Sequence, residues 1–302
     1  MRAAGRDCPI PVAGSIPRMP TADETDHPQL AAAARDALAA SPARTLVLEH
    51  DGARYVVKRL ADRPRSALQA HVVRWLARVL TGQTLPMHTL KLSEASASVD
   101  FEVRRLRSLA QAGVRVPRVF HHGDGFIVME HCGDAVGYLI GHWPIETCRT
   151  ELAGLAAELG AFHRAGQWHG AAQAKNLTRR DGLTWRIDFE ENFGELVPLA
   201  AAQALDVVLF LNSVSLAGPI DEDEARNLLP KLLHAYFVAN PDPQIRALLA
   251  QARPWGRALS WLVAPLRLVS RIGRRRKGLA RPALLVAALD QELARPAGPE
   301  VR

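Results

Sequence analysis

The spacing of apolar positions changes along the chain. Up to about residue 131, short β-prone runs are separated by Asp-Gly turns; beyond it, helical stripes dominate. Residues 45–49 and 55–58 flank His50-Asp51-Gly52-Ala53-Arg54. They predict a hairpin, because Asp-Gly accepts the positive φ of a tight turn. A second pair, 118–121 and 126–130, flanks His122-Gly123-Asp124-Gly125. An alanine-rich helix over 30–40 precedes the first hairpin. Between the hairpins, Leu68, Val72, Trp75 and Val79 share one face of an amphipathic helix predicted over 65–80. Another helix begins near Val99 and stops at Gly113.

In the second half, Leu152, Leu155, Leu159 and Phe162 set a helical stripe ending at Gly166. A loop over 169–176 and a short strand over 184–187 come next. Residues 200–214 are almost wholly apolar and predict a buried helix. Further helices are predicted over 222–239 and 243–252. Beyond them, apolar turns alternate with basic residues. These patterns give an α+β chain of two lobes. Residues 1–27, rich in Pro, Gly and charge, are expected to be a disordered tail. Residues 28–131 form a small antiparallel-sheet lobe carrying the inserted helix 65–80. Residues 132–302 form a helical lobe with a basic C-terminal region.

Composition narrows the function classes. The 302 residues are 48% hydrophobic with a formal charge of +7, enough apolar content for a large core. Of 38 basic residues only five are lysines, which draws attention to Lys58 and Lys175. Three cysteines (Cys8, Cys132 and Cys148) show no metal or disulfide spacing, which fits a reducing cytoplasm. The sequence predicts neither a signal peptide nor a membrane span. The basic run from Arg267 to Lys277 follows apolar Trp261-Leu262-Val263. It fits a solvated edge, or contact with an anionic membrane surface or a phosphorylated glycan, placing the chain at the inner face of the cytoplasmic membrane. Nucleic acid is disfavoured, because aromatic residues are 6% and none interleaves with the arginines.

The candidate chemistry lies in four places. Lys58 ends a Val-Val-Lys strand, where it is either a solvated strand end or a cleft lysine. Glu102 shares a helix face with Leu106 and Leu109, four and seven residues later. The apolar face turns inward, so Glu102 turns inward too and needs a partner; Lys58 is one, and Arg105 or Arg107 at the surface is the alternative. His169 and Asn176 bracket a loop seven residues apart, and Asp188 lies twelve residues further on. Asp206 in an apolar helix is either an unrelated cap or surface position, or a buried carboxylate whose donors the backbone of the 169–176 loop could supply. Glu130 and Cys132 fall at the link between the lobes.

The order of these residues resembles the small bacterial and archaeal protein-kinase-like phosphotransferases. That group includes the lipopolysaccharide (Kdo/heptose) kinases and the small kinase of the tRNA-modifying KEOPS complex. The resemblance runs from about Leu46 to Phe210. It is carried by Phe101-Glu102-Val103-Arg104-Arg105-Leu106 with Ala112-Gly113-Val114-Arg115-Val116-Pro117, and by Leu159-Gly160-Ala161-Phe162-His163-Arg164-Ala165-Gly166 with His169-Gly170. It implies a bilobal protein-kinase-like fold, ATP with Mg2+ as cofactors, and Lys58 with Glu102 on the phosphate side. It also implies Asn176 and Asp188 as metal ligands, and Glu130 and Cys132, at the link between the lobes, are expected to line the nucleotide site.

Two departures from the family pattern stand out. Ala171 takes the place of the aspartate that handles the acceptor's hydroxyl proton, leaving His169, Gln173 and Lys175 as the polar residues of the catalytic loop. Glu190 takes the place of a glycine after Asp188-Phe189, where it either adds a carboxylate near the metal or is solvated. Three functions therefore stay open. They are a kinase acting on a sugar or protein hydroxyl, a pseudokinase serving as a nucleotide-bound docking module, and a membrane-surface adaptor. The acceptor is not specified by the sequence.

Overall fold

A computed structural model describes residues 27–59, 95–269 and 273–295, together with residues 74 and 78. The tail over 1–26, most of the predicted helix 65–80, and residues 270–272 of the basic run lie outside the described residues.

The first helix, α1 (Pro28–Ala40), starts on a proline, whose fixed φ suits a first turn. It buries Leu30, Ala34 and Leu38 against Val57, Phe126 and Val128 of the sheet. That sheet contains β1 (Thr45–His50), β2 (Ala53–Arg59), β3 (Val119–Gly123) and β4 (Phe126–Glu130), in the antiparallel order β1-β2-β4-β3. Both Asp-Gly turns adopt positive φ at both residues: 49° and 74° at Asp51 and Gly52, 49° and 82° at Asp124 and Gly125. This is the twist-matched turn that two-residue hairpins favour.

Helix α2 (Ala95–Gln111) crosses beside this sheet and buries Val103, Leu106 and Leu109. Gly113, at φ +76°, lets the chain reverse so that the Val114 N–H reaches the Leu109 carbonyl at 2.9 Å.

The second sheet joins β5 (Asp134–Ala135), β6 (Leu177–Arg180) and β7 (Leu183–Arg186), all antiparallel. Around it stand α3 (Val136–Leu139), α4 (Ile145–Arg164), α5 (Phe193–Leu196), α6 (Leu199–Val214), α7 (Glu222–Ala239), α8 (Pro243–Val269) and α9 (Gly273–Leu293). Helix α4 packs on α7, and α9 packs on both α7 and α8. One apolar cluster runs from Leu106 and Ile127 in the first lobe through Leu155 and Phe189 to Phe210 and Tyr236 in the second. The fold is thus α+β, a small antiparallel-sheet lobe on a mainly helical body.

The C-terminal region differs from its expectation. In place of short turns it forms two long helices, and the helix predicted over 243–252 continues to Val269. Pro254 and Gly256 are breaker signals in the sequence, but tertiary contacts override them. Leu248 and Ala252 pack on the core, and Arg253 and Arg257 both reach Asp290, at 3.1 and 2.7 Å. Among the described residues, no helix is long and apolar enough to cross a membrane.

Candidate functional site

Strand alternation sets the direction of Lys58. Val57 faces α1, so its neighbours Val56 and Lys58 face the other side, toward the helical body. Lys58 sits in register between Thr45 of β1 and Ile127 of β4. Its Nζ donates to Glu102 Oε2 at 3.0 Å and to Asp188 Oδ1 at 2.8 Å. A third carboxylate, Glu190, lies 3.0 Å away. Glu102 is 1% exposed, on the same face of α2 as the buried Leu106 and Leu109.

Burial alone would lower the Lys58 pKa, but Glu102, Asp188 and Glu190 together hold it above the usual lysine value. Burial opposes ionisation of Asp188 as well, yet Lys58, with help from Lys175, holds its pKa below the ordinary carboxylate value. Glu102 is pushed the other way by its own desolvation, which the Lys58 charge only partly offsets. The ammonium therefore stays charged, held by the carboxylates around it.

The β6–β7 hairpin brings Asn176 and Asp188 together. Leu177 pairs with Arg186, and the Ile187 N–H extends the ladder by donating to the Asn176 carbonyl at 3.0 Å. Asn176 and Asp188 thus flank the open end of one hairpin. Asn176 is 4% exposed, and its Nδ2 donates to the Ala171 carbonyl at 2.9 Å. Its Oδ1 remains as an acceptor. Asp188 is non-glycine backbone at φ +67°, a conformation that costs on the order of 1 kcal/mol or more and concentrates at functional sites.

The loop over 169–176 is held from below by Asp206, which is 0% exposed. Its carboxylate accepts the backbone N–H of His169 at 2.6 Å and of Ala172 at 3.3 Å. It also lies 3.4 Å from His163 Nε2, while His163 Nδ1 meets the Tyr236 hydroxyl at 2.8 Å. The His169 ring stacks on Phe189, with centroids 4.3 Å apart, and is fully enclosed. Burial lowers its pKa to about 4, so the ring is neutral near pH 7 and supports the loop rather than facing the cleft. Gln173 is half-buried and Lys175 is exposed.

At the link between lobes, Glu130 is engaged by protein groups. Its carboxylate meets Arg180 at 2.7 Å and accepts the Arg118 N–H at 3.3 Å. The Cys132 carbonyl accepts from Thr178 Oγ1 at 2.6 Å. Burial, then the nearby Glu130, pushes the Cys132 thiol up to about 12, which removes it as a nucleophile.

Two participants carry no local sequence signal. Arg44, just ahead of β1, reaches Glu190 Oε2 at 2.7 Å. Arg105, one helical turn after Glu102, does not pair with Glu102. Its NH2 instead donates to the Trp168 carbonyl at 2.8 Å, and its guanidinium lies 4.7 Å from the Trp168 ring centroid.

Over part of its length the chain is similar in sequence to a known protein. Over 111 residues the chain is 32% identical to the KEOPS complex subunit Bud32 of Pyrococcus abyssi (strain GE5 / Orsay), covering 36% of this chain and 50% of that protein. That stretch is similar to a protein-kinase-like protein. It spans about half the length of that relative. A solved structure, WaaP in complex with acyl carrier protein, aligns over 78% of this chain and 84% of its own, with 18% identity and a TM-score of 0.38. No family model matches the chain.

Proposed function

We propose that this protein-kinase-like chain binds ATP with Mg2+ between its lobes and transfers a phosphoryl group to a sugar or protein hydroxyl. The observation that carries this reading is the ammonium of Lys58, held by Glu102 and Asp188, beside an asparagine whose amide nitrogen is already engaged. The residues fit the cofactors. Asn176 Oδ1 and the Asp188 carboxylate are hard oxygen donors of the kind magnesium takes. Lys58 is the charge that a triphosphate requires, and bound magnesium supplies neutralisation of developing phosphate charge. Glu102 fixes Lys58 from the helix side, and Asp206 fixes the loop that carries Asn176.

Ala171 limits the transfer step. Its methyl group cannot accept a proton, and a general base ordinarily contributes about 10² to 10⁴ in rate. Transfer to a hydroxyl is therefore slow, or is assisted by a group of the acceptor, while the nucleotide grip is unaffected. The same substitution favours a second reading, in which the nucleotide-bound chain serves as a docking or regulatory module.

Thermal-shift titration with ATP, with and without Mg2+, tests the nucleotide reading, because ligand binding to the native state raises the melting temperature. No shift at millimolar ATP would overturn it. γ-Phosphate transfer with Asp188→Asn as the control separates the two readings. Transfer lost in the variant supports the enzyme, and ATP binding without transfer in the parent supports the docking module.

A further inference from the structure

The Lys58 cluster contains one more cation and one more carboxylate than the proposed nucleotide grip requires. Arg44 and Lys58 converge on a single oxygen, Glu190 Oε2, at 2.7 and 3.0 Å. Arg44 comes from just ahead of β1, where its carbonyl is fixed by the Arg59 N–H at 2.7 Å. Glu190 comes from the stretch after β7. Two cations from the small lobe thus clamp one anionic oxygen from the large lobe.

The three carboxylates are not held alike. Lys58 has three N–H donors. It donates to Glu102 and Asp188, whereas Glu190 is in ion-pair range and its hydrogen bond comes from Arg44. Glu102 is enclosed and cannot leave. The Glu190 side chain is 26% exposed and so has a path to water. A carboxylate oxygen and a phosphate oxygen place the same demand on an arginine fork and an ammonium.

We propose that Arg44 and Lys58 form a two-cation subsite for a phosphate group of the nucleotide, which the Glu190 carboxylate fills in this structure and yields on binding. This rests on the proposed binding of ATP between the lobes. Arg44 thereby supplies, from a side chain, phosphate contacts at a strand start where the sequence has no glycine-rich loop. Glu190 acts as an internal competitor, not as a ligand of the metal.

The two roles predict opposite signs. Titrations of ATP, ADP and adenosine would compare the full chain with Arg44→Gln, Glu190→Gln and the double variant, each in Mg2+ and in EDTA. Arg44→Gln is expected to weaken ATP about ten-fold, the loss of one charge-assisted hydrogen bond, and to leave adenosine unchanged. Glu190→Gln is expected to tighten ATP several-fold, in EDTA as well as in Mg2+. In the double variant the gain from Glu190→Gln shrinks, because the subsite has lost a cation.

If Glu190→Gln weakens ATP only when Mg2+ is present, Glu190 is a metal ligand and the proposal is overturned. If the parent binds ATP and Arg44→Gln binds it equally, the subsite fails while the nucleotide reading stands. If neither the parent nor Glu190→Gln binds any adenine nucleotide, both fail together. Ligand-free melting of each variant, with Arg44→Lys as the milder substitution, identifies any loss that comes from folding.

Discussion

Replacing Lys58 with methionine tests the physical account of the cleft without assuming any ligand. The substitution preserves stem volume and removes an ammonium that lies 3.0 Å from Glu102 Oε2. Glu102 is 1% exposed, and its Oε1 already lacks a hydrogen-bond partner among the described residues. Its second oxygen would then be stranded as well. Asp188 and Glu190 are less affected, with side chains 29% and 26% exposed. Removing one partner of a buried ion pair costs about 3–5 kcal/mol, most of it from the uncompensated charge left behind.

Lys58→Met should therefore lower the stability measured by urea unfolding by that amount, with an unchanged m-value. The double variant Lys58→Met/Glu102→Gln should recover more than half of the loss, since the amide carries no charge. The pH dependence that Glu102 already gives the parent should also become steeper in the variant, because the offsetting Lys58 charge is gone. Burial raises the folded-state pKa of Glu102, so its contribution is fully present below the unfolded value and is lost as pH rises through the folded one. Lys58→Met should accordingly be relatively more stable in acid. A Lys58→Met protein within about 0.5 kcal/mol of the parent, with no change in its pH profile, would refute the buried pair.

Asp206→Ala leaves two buried N–H groups without an acceptor, at His169 and Ala172, and should cost about 2–5 kcal/mol by chemical denaturation; a loss below about 1 kcal/mol would contradict the support assigned to it. Gly160→Ala places a methyl 2.6 Å from the Tyr236 carbonyl where α4 crosses α7, so a destabilisation of about 1–3 kcal/mol is expected, and a neutral result would mean that the helices separate at little cost. His169 titrates at about 4 when folded against an ordinary 6.5, so as pH falls the unfolded chain takes up protons first. Stability should decline between those values by at most about 1.4 kcal/mol per pH unit, and His169→Asn should flatten that limb of the melting curve.

The elements built on local signals were legible in the sequence. Asp51-Gly52 and Asp124-Gly125 marked both hairpins, and Gly113 marked the end of α2. The inward turn of Glu102 followed from its phase with Leu106 and Leu109, because helical periodicity depends only on the chain itself. The need of Asp206 for backbone donors was one of two readings that its apolar surroundings allowed. What was hidden depends on contacts between distant segments. Nothing near Arg44 announces a partner 146 residues away, and nothing near Arg105 announces the carbonyl of Trp168. The C-terminal helices were obscured for a related reason. Pro254 and Gly256 are local evidence against a helix, and the opposing evidence lies in packing against the core and Asp290.

Helix α2 joins two parts of the molecule through residues only three apart. Glu102 holds the strand lysine, and Arg105 holds the backbone just before His169. A rigid helix cannot release one without straining the other. Swinging α2 outward would break the ammonium cluster and unlatch the loop in the same movement. The two halves of the cleft therefore share a single crankshaft and assemble or come apart together.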